Sequence, residues 1–149
     1  MTLFSNRLLC FILISAGILG IKNCIYAQEL IVNKTEVLHL NEMLTNNTVT
    51  SIYQDTKGFM WFGTYNGLNK YDGTKVEKYY SISDDKHSLS NYYINKISGD
   101  HLGQVWVATK EGLNRYNFDT NNFTRFLHDP KNKNSVTKGN LTDVLCDSK

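Results

Sequence analysis

Asp55-Thr56-Lys57-Gly58-Phe59-Met60-Trp61-Phe62-Gly63-Thr64-Tyr65-Asn66-Gly67-Leu68-Asn69-Lys70-Tyr71 returns later in the chain as Asp100-His101-Leu102-Gly103-Gln104-Val105-Trp106-Val107-Ala108-Thr109-Lys110-Glu111-Gly112-Leu113-Asn114-Arg115-Tyr116. The offset is constant, since 100−55, 106−61 and 116−71 all equal 45. A fixed period of this length belongs to propeller blades and related arrays. Function therefore has to be sought on a repeated scaffold and not in a catalytic motif.

A third copy opens near the end. Val136 to Asp147 matches Leu89 to Asp100 at an offset of 136−89 = 47, the two extra residues falling in the turn Asn117 to Asn122. The turn glycine of this copy is expected at 103+47 = 150, just past Lys149, so the chain reads as part of a longer protein.

Turn signals divide the repeat into four strands. Val49 to Asp55 is the first, ended by Asp55 to Gly58; Phe59 to Tyr65 is the second, followed by a hairpin at Asn66-Gly67. Leu68 to Tyr71 is the third, Asp72-Gly73 turns the chain, and Val76 to Tyr80 is the fourth. The second repeat runs through Ile94, Val105 to Val107, Leu113 to Tyr116 and Phe123 to Phe126. Phe59-Met60-Trp61-Phe62 is apolar on both faces, the pattern of a strand stacked between neighbours. The fold class expected is all-β, a partial propeller of four-stranded antiparallel blades: two blades and the start of a third.

The first residues carry an address. Arg7 precedes the apolar stretch Leu8 to Ile21, and Ile25-Tyr26-Ala27 ends in a small residue before Gln28, which predicts a signal peptide cleaved after Ala27. That stretch is 14 residues, short of the roughly 20 of a spanning helix, so a retained anchor is the weaker reading. A lipid-modified Cys24 is weaker still, because Ile21-Lys22-Asn23 lacks small residues. The organisation expected is a signal peptide at 1–27, a lead-in strand at 28–43, repeats at 44–88 and 89–135, and the opening of a third at 136–149.

Cleavage removes Arg7 and Lys22, leaving 16−2 = 14 Lys and Arg against 14 Asp and Glu. A near-neutral chain argues against nucleic acid, and against membrane contact once the signal is gone. Cys10 and Cys24 leave as well, so Cys146 has no disulfide partner. Four histidines scattered through loops have no ligand spacing, and neither a metal nor a cofactor is expected.

Most recurring residues have structural work. Asp55 and Asp100 can accept backbone amides two residues on, while Gly58 and Gly103 can take positive φ in the same turns. Gly67 and Gly112 read as hairpin glycines; Trp61, Trp106, Tyr71 and Tyr116 read as large buried packing residues. No catalytic residue is expected: Asp84-Asp85 is the one adjacent acidic pair of the repeats, and it reads as a solvated loop.

At these residues the chain resembles the two-component regulator propeller repeat. Asn47 to Asp72 follows that family's pattern, with the Trp61-Phe62-Gly63-Thr64 step, Gly67-Leu68 and Lys70-Tyr71-Asp72; the second copy departs at Ala108 and Asn117. Three positions separate Asp55 from Gly58, and three separate Gly58 from Trp61, which excludes the sialidase-type Asp box and the quinoprotein repeat. The resemblance implies an exported, periplasmic sensor region of a hybrid two-component protein, with oligosaccharides as ligands. The further blades, membrane helix and histidine kinase would lie outside this chain. An exported propeller enzyme and a protein-interaction propeller are the competing readings. For a sugar, Tyr92 and Tyr93, which replace Asn47 and Thr48 of the first copy, are the candidate contacts, with Tyr65 on the same face.

Overall fold

The hairpin signals act locally, so the strands they bound can be followed one by one. The computed structural model describes residues 43–147. The signal peptide, and the lead-in strand except its last residue, lie outside the described residues. Eight strands follow in order: β1 (Val49–Gln54), β2 (Met60–Thr64), β3 (Gly67–Tyr71), β4 (Val76–Tyr79), β5 (Ile94–Gly99), β6 (Val105–Thr109), β7 (Gly112–Asn117) and β8 (Asn122–Phe126). They form two four-stranded sheets of order β1-β2-β3-β4 and β5-β6-β7-β8. Every neighbouring pair is antiparallel. This is the all-β arrangement of successive blades that the repeat predicts.

One turn sits a residue earlier than its sequence signal. The hairpin loop is Tyr65-Asn66, and Gly67 already pairs with Thr64. The cause is a side chain: Thr64 Oγ1 accepts from the Asn66 amide at 3.1 Å and donates to the Gly67 carbonyl at 2.9 Å, closing the loop from within. Gly67 has φ 124°, and a Cβ there would meet the Tyr79 carbonyl oxygen at 2.6 Å. Thr109 closes the Lys110-Glu111 loop in the same way.

The sheets lie closest along β1 and β5. Thr50 Oγ1 donates to the Ile94 carbonyl at 2.7 Å, and the Ile97 amide donates to Ser51 Oγ at 3.0 Å. Gly63 lets Ile94 approach until a Cβ on the glycine would stand 2.5 Å from Ile94 Cγ2. Farther out, Trp61 and Tyr79 of the first blade meet Tyr116 and Phe123 of the second: Trp61 packs edge-on to Tyr116 at 4.8 Å, and Tyr79 edge-on to Phe123 at 5.4 Å. These aromatics and the aliphatic Leu89, Ile94, Ile97, Val105 and Val107 form the core.

Residues 136–147 form no strand, yet they repeat one contact of the blades. Asn95 Nδ2 donates to the Leu141 carbonyl at 2.8 Å, as Thr50 donates to that of Ile94. The Leu141 amide in turn donates to the Thr109 carbonyl at 3.1 Å.

Burial differs between the two copies. Trp61 is fully buried, but Trp106 is only half-buried. The reason is what covers them: Trp61 lies under a complete second blade, whereas Trp106 lines an open groove of about 250 Å³ with Leu113 and the segment Val144 to Cys146. Tyr71 is likewise half-buried, its hydroxyl donating to the Gly73 carbonyl, whereas Tyr116, sandwiched between blades, is 3% exposed. Trp61→Ala is therefore expected to cost about 3–5 kcal/mol in denaturant titration, the range for a deleted buried aromatic. Trp106→Ala is expected to cost clearly less, and equal losses would contradict the asymmetry.

Candidate functional site

Each blade has two rims, because antiparallel strands return their turns alternately to either end. One rim carries the Asp-Gly turns and the turns after β3 and β7. The other carries the loops Tyr65-Asn66 and Lys110-Glu111, the β4–β5 connection and the loop after β8.

The first rim is structural. Asp55 Oδ1 accepts the amides of Lys57 (2.9 Å) and Phe59 (3.0 Å), while Oδ2 accepts the indole N–H of Trp61 at 2.8 Å. Asp100 repeats all three bonds with Leu102, Gln104 and Trp106. Gly58 (φ 89°) and Gly103 (φ 75°) supply the left-handed residue of each turn. Partial desolvation pushes the Asp100 carboxyl up, but the bonds from Trp106, Gln104 and Leu102 together outweigh it and hold it below the ordinary value of 3.8. With three donors on each, both carboxylates are committed to holding the turn.

Nearby, Lys70 lies 3.5 Å from Glu77, and the Tyr79 hydroxyl bonds to Glu77 at 2.9 Å and to Asn121 Oδ1 at 2.6 Å. Tyr116 also bonds to Asn121, the one non-glycine residue with positive φ among the described residues (53°). Desolvation drives the Tyr79 hydroxyl far above its ordinary range, so it stays neutral, and its hydrogen bond lowers the Glu77 carboxyl. Blade is tied to blade here through the two-residue insertion of the second repeat.

The sequence reading passed over a buried polar set. Asn69 and Asn114 are fully buried. Asn69 Oδ1 accepts the Thr45 amide at 2.8 Å, and its Nδ2 reaches the Phe62 carbonyl at 3.1 Å. Asn114 does the same with Ser90 and Val107. The signal was available, since Thr64, Asn69, Thr109 and Asn114 all recur at the 45-residue spacing.

The second rim gathers the predicted ligand residues unevenly. Tyr65 and Tyr93 are brought together, their rings stacked at 4.6 Å and 23°. Lys110 Nζ stands 3.8 Å from the Tyr93 ring centre. An Asx turn, from the Tyr93 amide to Asn91 Oδ1, positions the middle member. The Tyr65 hydroxyl beside it, with some desolvation, raises the Tyr93 hydroxyl above its ordinary value. Tyr92 takes part in neither contact and is 55% exposed; Tyr65 is 43% exposed. Gly112 serves close approach and not a left-handed turn: a Cβ would meet Leu127 Cδ2 at 2.7 Å. Among the described residues, no group of three or more His, Cys, Asp or Glu side chains could hold a metal ion.

Asp55→Asn keeps an acceptor for the two amides but opposes an amide N–H₂ to the buried indole N–H. An unfolding loss of about 1–3 kcal/mol is expected in denaturant titration, the cost of a stranded buried donor. For Asp100 the sign follows from its lowered carboxyl: the stabilisation is present above the unfolded value of 3.8 and is lost as pH falls through the lower folded value. Melting temperature should therefore fall below that pH, and Asp100→Asn should flatten the acid limb of the profile.

Residues 43–66 match the family model described as the two component regulator propeller. No curated protein matches the chain. Among solved structures, the chain is similar to the extracellular domain of the proposed hybrid two-component system BT3049 from B. thetaiotaomicron, at 36% identity and a TM-score of 0.64. That alignment covers 72% of this chain and 15% of the other. A second match is the extracellular domain of BT4673 from the same organism, at 31% identity and a TM-score of 0.48, covering 58% of this chain and 13% of that one. The chain thus spans a small part of these relatives. Its sequence match, its 45-residue period and its two antiparallel sheets agree: the chain carries the two-component regulator propeller repeat, folded as successive propeller blades.

Proposed function

We propose that the chain is a ligand-sensing part of an exported sensor in two-component signalling, and that its ligand is an oligosaccharide. In this reading residues 1–27 direct export and are removed after Ala27; 44–88 and 89–135 are two blades, and 136–149 opens a third. The protein is periplasmic, and further blades and signalling domains complete it outside this segment. The observation that carries the reading is the second rim, where tyrosines cluster without serving the blade. Thr48 stands in the first repeat where Tyr93 stands in the second, so the fold does not require the ring there. Tyrosine suits a pyranose, offering a flat apolar face and a hydroxyl at one edge. The similarity to the extracellular domain of a hybrid two-component system supports the exported, signalling part of this reading.

No enzymatic role is assigned to this chain. The Asp85 carboxylate accepts the His87 amide at 2.8 Å, a loop-closing bond in an exposed position. Calorimetry on the complete exported region with oligosaccharide ligands tests the proposal. Tyr65→Ala and Tyr93→Ala, each checked for folding by thermal melt, are expected to weaken binding about tenfold, as loss of roughly 1.4 kcal/mol of stacking would. Tyr92→Ala, which removes the exposed ring next to Tyr93 in sequence, is expected to do the same. Unchanged affinity in all three would remove this rim from recognition.

A further inference from the structure

The repeat places the first residue of the β2–β3 loop and of the β6–β7 loop at equivalent positions, 110−65 = 45 apart, yet one is tyrosine and the other lysine. Tyr93 reaches both, through its stack on Tyr65 at 4.6 Å and its contact with Lys110 Nζ at 3.8 Å. The Tyr65 ring centre and the ammonium are therefore no more than 4.6+3.8 = 8.4 Å apart. Lys110 forms no ion pair among the described residues, and the neighbouring Glu111 does not quench it. Contact with the ring leaves ammonium N–H groups free to donate.

A second observation points the same way. The loop after β8 starts beside this lysine and returns to it: Leu127 packs against Gly112, and the Leu141 amide donates to the Thr109 carbonyl. Between these anchors it carries Lys131, Lys133 and Lys138 against the single acid Asp129. All three lysines are exposed, and none forms an ion pair among the described residues. The loop keeps its shape through its own bonds, Asp129 N to Ser135 Oγ at 2.9 Å and His128 Nδ1 with the Val136 carbonyl at 3.0 Å. The corresponding connection of the first blade instead carries Asp84 and Asp85 beside Lys86. The whole chain is near neutral after signal removal, so this positive charge is local.

From an open tyrosine face beside unpaired lysines we infer that the rim is a subsite for acidic carbohydrate, a pyranose carrying a carboxylate or sulfate. The outer face of Tyr65 takes the apolar face of one sugar unit, Lys110, on the other side of Tyr93, takes the anionic group of a neighbouring unit, and the lysines of the loop raise the ligand's local concentration. This inference rests on the proposed carbohydrate reading and adds the charge of the ligand.

The test is calorimetry on the complete exported region with three probes: tetragalacturonate, a chondroitin sulfate tetrasaccharide and the neutral galactotetraose. Carboxylate and sulfate sources are separated by the first two. Binding of at least one acidic probe is expected, weakening as salt rises. Lys110→Met should lower its affinity about tenfold or more, the value of a lost charge-assisted bond, and Lys110→Arg should largely restore it. Lys131→Gln with Lys133→Gln, both on the exposed loop, should weaken acidic binding even if Lys110→Met fails to fold. Binding of galactotetraose as tight as that of the acids, indifferent to salt and to these variants, overturns the acidic subsite and leaves the carbohydrate reading standing. Absence of binding by all three probes overturns both.

Discussion

The constraint on which each blade depends is the aspartate that serves two kinds of donor at once. Asp55 must lie at the start of the turn for Oδ1 to meet the Lys57 and Phe59 amides, and its Oδ2 must then face the Trp61 indole six residues on. Only a carboxylate fits, since both oxygens have to accept. The turn is thereby locked to the second strand, and the tryptophan is aimed at the neighbouring blade with its one polar atom already satisfied. A buried indole without such a partner would oppose the stacking it drives. Among the described residues every buried side-chain nitrogen and oxygen atom has a partner.

A second set of bonds acts at the opposite end of the same strands. Asn69 and Thr64 hold Thr45, and Asn114 and Thr109 hold Ser90. Each pair joins the segment entering a blade to the middle of that blade, so the connection cannot slide without stranding a buried amide. Arg125 adds a third restraint, its guanidinium donating to the carbonyls of Ser88, Asp85 and Leu89 at 2.7–2.8 Å. The β4–β5 connection is therefore fixed by β8 of the following blade, and the rim bearing Tyr93 stands on a rigid base.

How much of this was legible depended on whether a residue acts through local or distant partners. The period, the strand order and the Asp-Gly turns follow from short-range chemistry and were readable directly. The hairpin loop was displaced by one residue because Asn66-Gly67 suggests a turn by itself, while the deciding bond comes from Thr64, outside that dipeptide. The difference in burial between Trp61 and Trp106 was hidden for another reason. Equivalent repeat positions have equivalent backbones but not equivalent neighbours: Trp61 has Tyr116 of the second blade against it, where Trp106 lines a groove with Leu113 and the segment Val144 to Cys146. The buried asparagines escaped notice because Asn is commonly a turn residue, and nothing local in Leu68-Asn69-Lys70 marks its amide as an interior anchor. Tyr65 and Tyr93 were placed on one rim by topology, but their stacking and the approach of Lys110 depend on how the two blades pack.

Differences between the copies carry as much information as their agreement. Gly63 becomes Ala108 while the residue at the register of Ile94 becomes Leu141. A β-branched Ile94 presses its Cγ2 methyl onto Gly63, whereas leucine carries its branch one carbon farther out and has no such methyl on Cβ, which suits a partner position that carries the Cβ of alanine. The change from Tyr65 to Lys110 introduces a charge and that from Thr48 to Tyr93 introduces an aromatic ring, and both fall on the second rim. A repeat protein whose scaffold is pinned by Asp55, Asn69 and their copies can vary such positions freely, and chemistry that differs from blade to blade is what an asymmetric ligand requires.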